Sequence, residues 1–89
     1  MHAVVYEVEH KQGVWQEDAD AELDMMVEGT KSDPAFVSGL WLSDGTTAYA
    51  IIVVDSEETA RSWAAEAAIP PEATVALRSA RAFEVQRQA

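Results

Sequence analysis

Trp41, Tyr49 and Trp63, with Tyr6 and Glu7 near the start of the chain, are the side chains best suited to handling a small molecule. Tryptophan faces hold flat conjugated rings, and a phenol or carboxyl group can move a proton when its surroundings shift its pKa. Trp41 shares one side of a strand-like run with Gly39, Ala48 and Ala50, whose small side chains leave volume beside it. If that side lies under an alanine-rich helix, Trp41 and Trp63 line an aromatic slot. The plainer reading is that the indoles fill the space the small residues vacate, as close packing demands, and it carries more weight. Glu7 and Glu9 lie two apart on a strand and point the same way. A Glu7 at a buried boundary titrates high, as a general base needs. An ion pair with Arg78 or Arg81 is the simpler role and the favoured one.

The remaining polar side chains give less. His2 and His10 share a strand side but stand about 26 Å apart when extended, too far for one metal site within the chain. His10, between Glu9 and Lys11, reads as an exposed strand end. Ser38, Ser43, Ser56, Ser62 and Ser79 show no partnership with His and Asp that would mark a hydrolase triad. Met25 and Met26 read as helix-core and gap-filling residues. No glycine motif for cradling phosphate is present. The chain has no cysteine, which excludes disulfides, thiol catalysis and thiolate metal sites. Neither a metal nor a cofactor is expected.

Eighty-nine residues make a single domain, 1–89. A chain this short buries only about 60–65% of its unfolded surface, so association is a ready way to bury more. The net charge of −10 argues against nucleic acid or an anionic membrane as partner. The first residues show neither a basic region nor a long apolar core, and no apolar run approaches the roughly 18 residues of a membrane span. A cytoplasmic protein is the expectation.

Strands and helices have to hold these side chains in place. Residues 1–9 form a strand with apolar residues on both sides. Gln16 to Thr30 forms a helix with Ala19, Leu23, Met26 and Val27 on one side and acids on the other. Two strands over Phe36–Val54 flank Asp44-Gly45, a hairpin signal that predicts a type I′ turn and pairs Ser43 with Thr46, Trp41 with Ala48 and Leu40 with Tyr49. One hairpin face then carries Phe36, Leu40, Leu42, Tyr49, Ile51 and Val53. The other carries Val37, Gly39, Trp41, Ala48, Ala50, Ile52 and Val54. Ser56 caps a helix running to about Ala68, with Ala60, Trp63, Ala64 and Ala67 as its buried stripe. A last strand from Thr74 to about Gln86 places Val75, Leu77, Phe83 and Val85 on one face.

The order βαββαβ predicts a ferredoxin-like α+β fold, a four-stranded antiparallel sheet with both helices on one face. The first and third strands are central in it, and they are the most apolar here. Nothing in the chain remains to cover the second apolar face, so a second copy is expected to cover it, giving a homodimer.

Pro34-Ala35-Phe36-Val37-Ser38-Gly39, the Asp-Gly hairpin and Asp55-Ser56-Glu57-Glu58-Thr59-Ala60 together resemble the dimeric α+β-barrel superfamily. The nearest group is the antibiotic-biosynthesis-monooxygenase-like small proteins. Ala35 stands where that family usually has glycine. The resemblance covers most of the chain through structural motifs, a turn and a helix cap. It implies two sheets packed face to face in a dimer, with a small-molecule pocket between helices and sheet in each protomer. Some members are cofactor-independent oxygenases of aromatics and others degrade haem. The haem-degrading members use an asparagine on the first strand, a tryptophan on the second helix and a histidine shortly after it. Trp63 matches the tryptophan, but the chain has no asparagine and no histidine beyond Trp63. Haem degradation is therefore not expected.

Three readings result. The first is a homodimer that binds a small hydrophobic or aromatic molecule, with Trp41, Trp63, Tyr49, Tyr6 and Glu7 as the candidate pocket. The second is a cofactor-independent monooxygenase, in which Trp63 and Trp41 hold the ring and Tyr6, Tyr49 or Glu7 moves the proton. The third is a structural dimer with a solid interior. A void between helices and sheet discriminates the first two from the third.

Overall fold

Alternating apolar residues draw strands, and 3.6-residue spacing draws helices. Over residues 1–89 the computed structural model has β1 (His2–His10), α1 (Gln16–Lys31), β2 (Phe36–Ser43), β3 (Thr47–Val54), α2 (Glu57–Glu66) and β4 (Val75–Glu84). All strand pairings are antiparallel, in the order β2-β3-β1-β4. This is the expected ferredoxin-like arrangement, with β1 and β3 inside and β2 and β4 at the edges. α1 runs one residue past the expected Thr30. α2 stops at Glu66, short of the expected Ala68, because the chain turns extended at Ala67 ahead of Pro70. The Ser56 cap forms as expected, its hydroxyl accepting from the Thr59 N–H at 3.2 Å.

The hairpin turn differs from the expected one. Ser43 pairs with Ala48, Leu42 with Tyr49 and Trp41 with Ala50, a slip of two residues. The connecting pair is Gly45-Thr46, closed by Asp44 N–H donating to the Thr47 carbonyl at 3.1 Å. Only Gly45 has positive φ, +95°, so the turn takes its left-handed residue at the first central position and a type I′ turn is excluded. The Asp44 carboxylate accepts from the Thr47 and Thr46 N–H groups at 2.8 and 2.9 Å. Those bonds hold its pKa below the ordinary carboxylate value. A slip of two preserves sides, so Trp41 still shares its face with Ala48 and Ala50.

Two bulges do change sides. Phe36 pairs with Val54 but Ser38 pairs with Val53, so Val37 is the extra residue. Phe36 therefore leaves the face of Leu40 and Leu42 and packs against the core under the helices. In β4, Glu7 faces Ser79 while Val8 faces Leu77, which leaves Arg78 as the extra residue. Val75 and Leu77 thus lie on the helix side, and Phe83 lies on the opposite side with Ala3, correcting the single face expected for the three.

The core is Val4, Ile52, Val54 and Ala60, with Tyr6, Phe36, Trp41, Trp63, Ala64 and Ala82 packed around it. α2 packs on β4, β1 and β3, whereas α1 approaches β2 alone. Trp41 folds back over Gly39, where a Cβ would lie 2.9 Å from two atoms of the indole and 3.2 Å from the Phe36 ring. Gly39→Ala should destabilise the fold by about 1–3 kcal/mol through overpacking. Gly29→Ala, in α1 with nothing within 4 Å of the added carbon, should stabilise it by about 0.5–1 kcal/mol. Urea midpoints of the two variants should therefore move in opposite directions; a shift of the same sign would show that the indole does not rest on Gly39.

Candidate functional site

Helix α1 buries none of its residues. It is held instead at the two edges of the sheet. At one edge it meets β2. At the other, the Glu22 carboxylate accepts from the Thr74 N–H at 3.1 Å and the Thr74 hydroxyl at 2.6 Å, just ahead of β4. Between these ties the helix passes over the central strands, where the methyl side chains of Ala48 and Ala50 stand low. The result is a hollow of about 450 Å³. Val8, Trp41, Ala48 and Ala50 form its floor, and Ala19, Leu23 and Met26 its roof. Leu23 and Met26 are each 39% exposed, so the stripe expected to bury α1 faces open space rather than packed side chains.

Strand ends form the mouth of the hollow. His10 ends β1 and Ser43 ends β2, and the His10 Nε2 lies 2.8 Å from the Ser43 Oγ. The Gly45 N–H donates to the same oxygen at 3.0 Å. Nearby, the Gln16 amide donates to the Asp20 carboxylate at 2.8 Å, and the Lys11 ammonium donates to the Pro71 carbonyl. Ser43 does meet a histidine, a contact the sequence does not signal, but not in the His and Asp partnership that would mark a hydrolase triad. It is a pair rather than a triad, because no carboxylate bonds the His10 ring.

A smaller hollow, about 290 Å³, opens under the C-terminal end of α2, lined by Tyr6, Trp63, Ala67, Ile69 and Leu77 among others. Trp41 and Trp63 thus border different hollows while packing on the same core. Tyr6, Trp41 and Trp63 all lie on the helix side. Glu7 and Tyr49 do not: they pair with each other across β1 and β3, and Tyr49 also pairs with Leu42, which puts both side chains on the outer face. Tyr49 borders the larger hollow from its place between Ala48 and Ala50, yet the alternation of the strand directs its ring away. Of the residues assigned to proton transfer, only Tyr6 faces the helices. Arg78 bonds Glu9, at 2.7 and 2.9 Å, rather than Glu7, while Arg81 lies over the Phe83 ring at 5.0 Å. Val8, Leu23, Met26, His10 and Ser43 were outside the expected pocket. Only the apolar spacing of α1 signalled any of them.

Burial raises the pKa of the Tyr6 hydroxyl above its ordinary 10.0, because a phenolate gives up hydration there. The unfolded chain then ionises Tyr6 first as pH rises. The resulting stability is fully present below pH 10.0 and is lost as pH climbs through the folded value. Tyr6→Phe should flatten that alkaline loss, measured as the difference in urea midpoint from the parent across the range. An unchanged slope would contradict the burial.

No protein-family model matches the chain, and no curated protein does. Among solved structures, a mutant of MhuD crystallised with two manganese protoporphyrin IX molecules bound per active site superposes at a TM-score of 0.62. The match spans 100% of this chain and 98% of that one at 19% sequence identity. At that identity the likeness is one of fold. This chain has the ferredoxin-like α+β fold that MhuD also has.

Proposed function

We propose that this protein is a homodimer that binds a small hydrophobic or aromatic molecule between α1 and the sheet. The hollow above Trp41, Ala48 and Ala50 carries the reading. Its volume falls within the roughly 300–1,000 Å³ of ordinary ligand pockets, and its lining is mostly apolar, with polar and charged residues, Lys11, Asp20 and Glu22 among them. An interior with such a void does not favour a purely structural dimer. MhuD holds flat tetrapyrroles in its active site, which supports a flat conjugated ligand for the same fold.

The outer face of the sheet supports self-association. Leu40, Leu42, Tyr49 and Phe83 are 59%, 46%, 40% and 41% exposed on it. A contiguous apolar face of this kind is characteristic of an interaction surface, and a second copy offers a self-complementary match. Light scattering at micromolar concentration should give twice the 9.7 kDa chain mass. Leu40→Glu combined with Leu42→Glu should give a monomer; a parent already at one chain mass sinks the dimer. For the ligand, flat bicyclic aromatics should quench tryptophan fluorescence. Ala48→Leu, which fills the floor of the hollow, should weaken that binding tenfold or more, about 1.4 kcal/mol. An affinity unaffected by the larger side chain would place the ligand elsewhere.

A further inference from the structure

The mouth of the hollow differs chemically from its floor, and the difference selects among hydrophobic ligands. Resting on the binding function proposed above, we infer that His10 and Ser43 recognise one neutral oxygen, a phenol, alcohol or ketone, on an otherwise apolar ring system. Both residues lie on the helix side of the sheet, His10 in line with Val8 and Ser43 in line with Trp41. Their contact at 2.8 Å closes over the end of the floor, and the Gly45 N–H fixes the serine oxygen from behind. A polar pair held by the backbone in this way is organised before a ligand arrives.

The pair serves either kind of neutral oxygen. When Nε2 carries the proton, it donates to Ser43 Oγ, and the serine hydroxyl proton is free to donate to a ketone or ether. With the other tautomer, Ser43 donates to Nε2, and its remaining lone pair accepts from a phenol or alcohol. Both arrangements engage the His10 Nε2 and leave one serine bond for the ligand.

The surrounding charges select against an anion. Asp20 and Glu22 border the hollow, Asp44 follows Ser43 directly, and the Lys11 ammonium is turned to the Pro71 carbonyl. The chain as a whole carries −10. A carboxylate brought to Ser43 meets like charge at Asp20, Glu22 and Asp44, and the one cation bordering the hollow, Lys11, is engaged by the Pro71 carbonyl, whereas a hydroxyl meets no like charge. The floor, by contrast, offers only methyl groups, an indole and a valine, and contributes to affinity without distinguishing one end of a ligand from the other.

The test compares 2-naphthol, 2-methylnaphthalene and 2-naphthoate, which share a ring system and differ at one substituent. Their dissociation constants would be read from amide and methyl chemical-shift titrations of the parent, Ser43→Ala and His10→Phe. In the parent, 2-naphthol should bind about tenfold tighter than 2-methylnaphthalene, and 2-naphthoate should bind most weakly. Ser43→Ala should reduce the naphthol preference to about twofold or less while leaving 2-methylnaphthalene unchanged, which shows that the hollow is intact. Equal binding of naphthol and methylnaphthalene, or a preference that survives both substitutions, overturns the recognition but leaves the hollow as a binding site. Failure of all three compounds to bind overturns the binding function and this recognition with it.

Discussion

The seating of α2 on the sheet governs the rest of this fold. Ala60 has no exposed surface, and it rests on Val4, Ile52 and Val54 of the central strands. A side chain that ends at Cβ lets a helix approach a sheet closely, and Ala64 extends the same contact. α2 lies that close over β4 and β1 and reaches β3. α1 carries long side chains at Leu23 and Met26, and it is tied to the edges, at β2 and through Glu22 at Thr74. One face of the sheet is therefore divided into a closed half under α2 and an open half under α1.

That division leaves little fully enclosed. Six of 89 residues are buried, which is a small core even for a chain of this size, so the open half and the outer face matter energetically. In the proposed dimer, the outer face closes on a partner and the open half closes on a ligand. The two surfaces share one sheet: β2 and β3 carry Leu40, Leu42 and Tyr49 on one side and Trp41, Ala48 and Ala50 on the other. The packing of Trp41 on Gly39 anchors the indole to its own strand, so the ring forms part of the floor of the hollow instead of filling it.

The element order, the central strands and the apolarity of both sheet faces are legible because each rests on a period of two or 3.6 residues over many positions. Side assignments fail wherever one residue interrupts the period. Val37 brings Phe36 inward and Arg78 sends Phe83 outward, and neither residue type announces a bulge. The two-residue slip in the hairpin escapes the pattern for a different reason: it moves the turn while keeping every side chain on its face. Tyr49 and Glu7 stand apart from Trp41 for another reason: both alternate to the outer side of the sheet, although Tyr49 still borders the hollow. The alternation alone places Tyr49 with Leu40 and Leu42, and Glu7 opposite Tyr6. Chemical suitability joins them, although the geometry of a strand separates them.

His10 and Ser43 are separated by 33 positions, and no spacing rule connects them. What unites them is topology. In this antiparallel order, β1 ends, β2 ends, and β3 and β4 begin at the same edge of the hollow. Strands end in residues that favour turns and water, here histidine, serine, aspartate and threonine, while their middles are apolar. A hollow built over such a sheet acquires a polar mouth and an apolar floor without further design. The identity of the polar residues is then free to vary with the ligand. In this chain the mouth combines the His10–Ser43 hydrogen-bonding pair with the nearby carboxylates of Asp20 and Glu22, and in the proposed recognition the balance of those two features favours an oxygen that carries no charge.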